Sequence, residues 1–204
     1  TGMTVLNNFT SAFGSNAVAA MGIAQKINMV PLYVAMGLGQ GIMPLISYNY
    51  SSGNVRRMKK TVVFSVSAAV GFLTVITVGY YTGARGLVSL FMENQEVAAY
   101  GSRFLRGMCL ALPFLCVDFL AVGVFQACGM GKESLAFAVL RKVVLEIPAL
   151  FILNYLIPLY GMAYAQLTAE VVLAAAAGVI LVRLFRKLEK QEAGADASRP
   201  SVQS

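Results

Sequence analysis

Residues 55–84, VRRMKKTVVFSVSAAVGFLTVITVGYYTGA, place a cluster of basic side chains directly before an uncharged, apolar stretch. The uncharged part, 61–84, is long enough for a membrane-spanning helix, which needs about 20 mostly apolar residues. Residues 27–55, on the other side of the basic cluster, also carry no charge. Because Lys and Arg cluster on the cytoplasmic side of membrane proteins, this pattern predicts two spans joined by a cytoplasmic loop.

The composition of the whole chain favours the same interpretation. Its mean hydropathy is +0.71, and 12% of its residues are charged, against about 25% in soluble domains. The net charge of +7 comes largely from basic residues beside apolar stretches, where they face anionic lipid, so we expect no nucleic-acid partner. The chain has no histidine, which excludes metal sites of the histidine type. We predict an all-α integral membrane protein, embedded in the lipid bilayer and without a cofactor.

Breaks rich in Gly, Pro, Asn and Ser divide the chain into six predicted helices, which form one transmembrane domain over residues 1–187. The helices cover about residues 1–13, 17–50, 58–82, 96–128, 135–157 and 162–187. Pro31 and Pro44 interrupt the second helix, and Pro113 predicts a kink in the fourth. The chain begins inside an apolar helix without an initiator Met, so we expect a truncated first helix and a longer natural protein.

The connections between these helices predict an orientation. Residues 83–95 form a mixed connector at the outer membrane surface, while the loop that contains Lys132 lies inside with the basic cluster. The polar residues 188–204 predict a disordered cytoplasmic tail. We therefore expect a multi-pass protein of the inner cell membrane with its C-terminus in the cytoplasm.

Three acids lie within predicted membrane helices, where an ionised side chain costs about 2.5–3.5 kcal/mol and usually faces a bundle interior or a wet cavity. Asp118 is the deepest, because residues 107–130 contain no other charge. Such an acid can take up a proton, or bind Na⁺ with neighbouring oxygens, so we predict it as the cation-coupling residue. A structural ion pair is the alternative. Glu146 and Glu170 are secondary candidates. The alternative for Glu146 is an anchor at one end of its helix with the nearby Arg141 and Lys142, and the alternative for Glu170 is a hydrogen-bonded role in helix packing.

A second group of candidates lies on one face of the long second helix. The group shares polar or flexible side chains at helical spacing and comprises Gln25, Asn28, Met29, Met36 and Gln40. Because flexible Met side chains adapt to varied ligands, this face predicts the wall of a cavity for small amphiphilic substrates. Ordinary helix packing is the alternative. The glycines at 37, 39 and 41 predict close helix contact.

Three segments resemble the multidrug and toxic compound extrusion (MATE) family. Residues 37–60, GLGQGIMPLISYNYSSGNVRRMKK, are similar to the family's eighth helix and the cytoplasmic loop after it. Residues 118–133, DFLAVGVFQACGMGKE, are similar to its tenth helix and following loop. Residues 144–156 with the turn at 159–163 resemble helix eleven and its turn into helix twelve.

The resemblance implies a fold of two six-helix lobes related by an axis along the membrane normal, of which this chain would supply the second. It also implies a partner, the N-terminal six-helix lobe of the full-length protein. The implied activity is antiport, in which Na⁺ or H⁺ enters while drugs and other amphiphilic organic cations leave. Asp118 matches the tenth-helix acid that binds the cation in some members, and Phe114 stands where those members have Tyr.

A flippase, a membrane enzyme and a channel are the alternatives to an exporter. A flippase for lipid-linked saccharides, from the same superfamily, should hold several Arg or Lys within its helices, and here most lie at helix ends. A membrane enzyme would need convergent nucleophiles, paired acids or a metal site. A channel should show a filter-like loop or a ring of charge, and the sequence shows neither. The residues therefore favour an exporter over a flippase, an enzyme or a channel.

Overall fold

The computed structural model describes residues 15–91, 94–156 and 161–197, which form eight α-helices and one π-helical segment. The predicted first helix, 1–13, lies outside these residues. Within these described ranges, three stretches are long and apolar enough to cross a membrane: Ser15–Ser51, Val55–Ser89 and Tyr164–Glu192. A bent pair of helices, Gln95–Cys109 with Leu112–Ala127, adds a fourth when the two helices are taken as one span.

The predicted 17–50 helix is formed by α1 (Ser15–Gly41) and α2 (Met43–Ser51), which are separated only by Ile42. Pro44 lies in the first turn of α2, where its missing N–H leaves no hydrogen bond unmade. Pro31 lies inside α1 and does not end it. The break in this long span therefore falls at Pro44 and not at Pro31.

Helix α3 (Val55–Ser89) begins behind Asn54, whose side chain accepts a hydrogen bond from the backbone N–H of Arg57 at 3.2 Å. It runs seven residues beyond the predicted end at 82, so the expected connector at 83–95 was too long. Ala84 and Val88 are both fully buried in this extension. Their packing against the bundle keeps the chain helical as far as Ser89.

The predicted 96–128 helix is divided into α4 (Gln95–Cys109) and α5 (Leu112–Ala127), bent by 43°. The predicted kink at Pro113 is confirmed, because this proline lies in the first turn of α5. The hydroxyl of Thr77 on α3 donates to the carbonyl oxygen of Cys109 at 3.2 Å, and to that of Leu73 at 2.8 Å. The neighbouring helix thus supplies a donor to a backbone oxygen exposed by the bend.

The next span consists of α6 (Gly131–Val139), a π-helical segment (Leu140–Glu146) and α7 (Ile147–Leu156). It begins four residues before the predicted start at 135. The π-helical segment ends just before Pro148, whose ring nitrogen cannot donate to the preceding turn. A wider turn in this position accommodates the lost hydrogen bond.

Helix α8 (Gly161–Ala197) continues ten residues past the predicted end at 187. The prediction of a disordered tail from 188 was therefore wrong as far as Ala197, and residues 198–204 lie outside the described part of the chain. Residues 188–197, LEKQEAGADA, are rich in Ala and Glu, which have high helix propensity. A helix that is already nucleated extends readily through such a segment.

Polar contacts show which connections share an end of the bundle. Lys59 Nζ donates to Glu189 Oε1 at 2.7 Å, so the basic cluster lies beside the last turns of α8. At the opposite end, Asn16 Nδ2 donates to Glu96 Oε2 at 3.0 Å. The basic residues of the 56–60 cluster and of α8 are therefore collected at one end.

Helix α5 is the central element, since it packs against α1, α3 and α8. Its middle turns belong to a core that includes Leu73, Leu115 and Leu120, with two further cores toward the two ends of the bundle. The outside is apolar as well, as Phe64 (75% exposed) and Val75 (71% exposed) illustrate. An apolar exterior around a packed interior suits a bilayer, and α5 carries its residues into the centre of the bundle.

Candidate functional site

Asp118 lies in the middle of α5 with 1% of its surface exposed. Neither of its carboxylate oxygens has a hydrogen-bond partner among the described residues. Its neighbours Cys116 and Leu120 are fully buried apolar residues. A carboxyl group in such surroundings is costly unless a proton or a cation neutralises it, so Asp118 is a strong candidate for ion binding.

Glu170, on α8, is buried to the same degree. Its Oε1 accepts a hydrogen bond from Arg141 Nη2 at 2.8 Å, while Oε2 has no partner among the described residues. Among the charged groups, Glu170 has the largest effect on Asp118. Two buried carboxyl groups that interact are costly when both are ionised, so this pair favours a proton or a bound cation.

Arg141 lies in the π-helical segment, and 20% of its side chain is exposed. Its guanidinium carbon lies 5.0 Å from the centre of the Phe119 ring, a cation–π contact. Its Nε has no hydrogen-bond partner among the residues described. Arg141, Glu170 and Asp118 thus form a triad, built from the π-helical segment, α8 and α5.

The sequence did not predict Arg141 as part of the site, because in the chain it lies nearest to Glu146. The sequence did contain one signal. Glu170 lies in an apolar helix, where its carboxylate needs an oppositely charged partner from another helix. Glu146 ends the π-helical segment and is partly buried. Glu170 and Arg141 act on Asp118 and define the triad, and Glu146 has interactions of its own.

The predicted face of the second helix is divided in the structure. Met36 and Gln40 line a cavity of about 200 Å³ together with Phe119 and Gln126 of α5. Gln25 is partly buried and lies about 20 Å from Gln40, toward the N-terminal end of α1. The cavity therefore lies against Phe119, which follows Asp118 directly in the chain and contacts Arg141.

The other two residues of that face lie away from the cavity. Met29 is partly buried, and Asn28 is 4% exposed with its Oδ1 unpartnered among the described residues. Asn28 therefore faces the protein interior and does not form the wall of an open cavity.

Close contact between α1 and α5 positions the cavity. A Cβ atom on Gly39 would lie 2.9 Å from the carbonyl oxygen of Phe119, and one on Gly123 would lie 2.7 Å from the carbonyl oxygen of Gly39. The predicted close helix contact is thus confirmed for Gly39, while Gly37 and Gly41 meet open space. Backbones that touch here fix the height of Phe119 and Asp118 relative to α1.

The family described as MatE matches residues 1–156. The chain belongs to this family. Members of the MatE family are multi-pass membrane transporters and not enzymes. The predicted family and the predicted helical membrane lobe are therefore confirmed, and so is the prediction that the chain is not an enzyme.

The multidrug export protein MepA of Staphylococcus haemolyticus is 35% identical over 190 residues, which cover 93% of this chain and 41% of that protein. MepA of a Staphylococcus aureus strain is 34% identical over 186 residues, which cover 89% of this chain and 40% of that protein. The chain therefore spans about two fifths of the length of these relatives.

Solved structures agree on the fold. The outward-facing conformation of a multidrug resistance MATE transporter superposes with a TM-score of 0.86 at 20% identity, over 93% of this chain and 43% of that one. The Vibrio cholerae MATE transporter VcmN superposes with a TM-score of 0.83 at 20% identity, over 94% of this chain and 43% of that one. At this identity the likeness supports the fold alone, and the chain corresponds to one lobe of it.

Proposed function

We propose that this chain is the second lobe of a cation-coupled antiporter that exports amphiphilic organic cations, and that Asp118 is its ion-coupling residue. The observation that carries the proposal is a buried acid in the central helix of the bundle that has no hydrogen-bond donor among the described residues. The relatives named multidrug export proteins support the same class of activity. The coupling ion is Na⁺ or H⁺.

The charge of the triad gives the mechanism its first step. Two carboxylates and one guanidinium leave one negative charge uncompensated, which a single proton or Na⁺ neutralises. An uncompensated charge in a low-dielectric interior is costly, so the lobe closes around the site only when the ion is bound. The ion gradient thereby drives the change between the two access states.

Substrate binding belongs to the adjoining cavity. Met36 and Gln40 offer it a flexible apolar side chain and a polar amide, and Phe119 adds an aromatic residue to its lining. Through Phe119 and Arg141, this cavity is in contact with the buried acids. Before the ion binds, the negative triad attracts a cationic drug, and the bound ion removes that attraction.

The rest of the full-length protein completes this arrangement. We place the N-terminal six-helix lobe against the face that carries Gln40, so that the two lobes enclose a larger cavity. The basic end of the bundle faces the cytoplasm, because clustered Lys and Arg are retained on that side. The C-terminal end of α8 is then cytoplasmic too, since Glu189 contacts Lys59.

A lipid-linked saccharide flippase is the alternative. Such a protein would need basic side chains inside the bundle that are free to bind phosphate. Arg141 is basic and lies within the bundle, but Glu170 already engages its guanidinium. This pairing favours the exporter.

The test is ion-driven efflux of ethidium by the full-length protein in liposomes, with Na⁺ and H⁺ gradients imposed separately. Asp118→Asn should abolish the ion-driven component and leave membrane insertion intact. Glu189→Gln is the matched control, because this acid is exposed at the end of the bundle, and it should transport like the wild type. Undiminished ion-driven efflux by Asp118→Asn would refute the coupling role.

A further inference from the structure

The arginine of the triad adds a second cation to a site that has so far been assigned to the transported ion. Resting on the function proposed above, we propose that Arg141 is a tethered counter-cation. It competes with the coupling ion for the Asp118–Glu170 pair, and when displaced it moves toward the drug cavity.

Arg141 contacts only part of the Asp118–Glu170 pair. Arg141 binds one oxygen, Glu170 Oε1, and leaves three carboxylate oxygens of the pair without a donor among the described residues. Both acids are 99% buried, so these oxygens point into the protein and not toward solvent. Arg–carboxylate pairs are frequently bidentate, whereas the Nε of Arg141 has no partner among the described residues. The pair therefore keeps oxygens available for a second cation while Arg141 is bound.

Arg141 also has a second place to rest. Its guanidinium already lies over the Phe119 ring at 5.0 Å, and its Nε makes no hydrogen bond within the described residues. Aromatic faces attract guanidinium groups when a better partner is lost. Phe119 lines the drug cavity, so an Arg141 that lets go of Glu170 remains held on the ring, at the edge of that cavity.

The π-helical segment provides the movement. π-Helical turns occur mostly at functional sites, and they differ from α-helical turns by one residue of register. One residue of register corresponds to a rotation of about 100° around the helix axis. Arg141 is the second residue of the segment Leu140–Glu146, so a change of turn there redirects its side chain without unfolding the helix.

These observations connect ion binding to drug release through a single residue. When Na⁺ or a proton occupies the acid pair, Arg141 is displaced toward Phe119 and brings a positive charge to the cavity edge. That charge repels a cationic drug. When the ion leaves, Arg141 returns to Glu170 and the cavity accepts a cation again. Ion and drug then exclude each other, as antiport requires.

The test uses the full-length protein in liposomes and in detergent, with Na⁺, H⁺ and ethidium as probes. Arg141→Gln should lower the ion concentration for half-maximal ethidium efflux by about tenfold, because it removes a neighbouring positive charge. Arg141→Lys, which keeps the charge, should stay within about threefold of the wild type. Arg106→Gln is the matched control, since Arg106 also stacks on an aromatic ring, that of Tyr81, but lies apart from the acids.

Ethidium binding supplies a second, independent measurement. In the wild type, saturating ion should weaken ethidium binding by about tenfold, and in Arg141→Gln by less than about twofold. Should Arg141→Gln fail to accumulate, Arg141→Met, which keeps a long apolar side chain and leaves both acids in place, replaces it and should show the same loss of ion–drug exclusion.

The outcomes separate this inference from the function on which it rests. An unchanged or raised ion requirement in Arg141→Gln, or full ion–drug exclusion without Arg141, overturns the counter-cation role while Asp118 coupling stands. Ion-driven efflux that survives in Asp118→Asn overturns the proposed function itself.

Discussion

The carbonyl oxygen of Gly39 lies 2.7 Å from the position that a Cβ atom on Gly123 would occupy. The α1 and α5 backbones therefore touch at a point where no side chain fits between them. Gly123→Ala should force the helices apart and destabilise the protein by about 1–3 kcal/mol, as overpacking of a core does. Thermal unfolding of the purified full-length protein measures this as a lower Tm.

Gly71→Ala is the control for this substitution. Gly71 lies within α3, and a Cβ atom there meets nothing within 4 Å. Alanine is favoured over glycine in a helix, so the Tm should stay the same or rise slightly. Equal Tm values for the two variants would contradict the close contact between α1 and α5.

The hydroxyl of Thr77 bridges α3 to the bend between α4 and α5 through the carbonyl oxygen of Cys109. Thr77→Val keeps the shape of the side chain and removes the donor, which should cost about 1 kcal/mol. The exposed Thr74, whose hydroxyl bonds only within its own helix to Val70, provides the matched control. If Thr74→Val and Thr77→Val lower the Tm equally, the bridge does not stabilise the bend.

Much of the fold could be predicted from the sequence because hydrocarbon imposes simple rules. Uncharged stretches bounded by basic residues, as at 55–84, give spans and their order. Prolines gave mixed results: Pro44 and Pro113 lie at helix starts, whereas Pro31 lies inside an uninterrupted helix. Whether a proline breaks a span depends on tertiary partners that the sequence does not display.

The site was only partly predictable for the same reason. Asp118 stands out in the sequence as the lone charge of its stretch, because isolation in hydrocarbon is a local property. Arg141 and Glu170 belong to different helices, and only the packing of the π-helical segment on α8 brings them to 2.8 Å. The predicted cavity face was divided because a regular helical spacing does not reveal which neighbour covers each turn, as for Asn28.

The buried carboxyl group of Asp118 should lower the free energy of unfolding of the protein, although ion coupling depends on it. Its two oxygens are buried without a donor among the described residues, beside a second acid. Asp118→Asn removes a charge and adds an amide that can donate to Glu170, which should stabilise the full-length protein by about 1 kcal/mol. The expected result is a raised Tm together with lost ion-driven efflux. A lowered Tm would mean that the carboxylate is a structural member of the triad.

The two ends of α3 provide a matched test of orientation. Ser52 precedes the helix beside the basic cluster and Ser89 ends it, and both side chains are exposed. A helix of 35 residues, at about 1.5 Å of rise per residue, places them on opposite sides of a bilayer. In intact cells, a membrane-impermeant maleimide should label Ser89→Cys, and should label Ser52→Cys only after permeabilisation.

The three thiols of this chain should contribute little to the labelling. Cys109, Cys116 and Cys128 are all buried and should react slowly, and the parent protein without an added cysteine sets the background. The expected pattern follows from the basic residues retained in the cytoplasm beside Ser52. The reverse pattern, with Ser52→Cys labelled first, would place the Lys59–Glu189 end outside and invert the direction in which Asp118 meets the ion gradient.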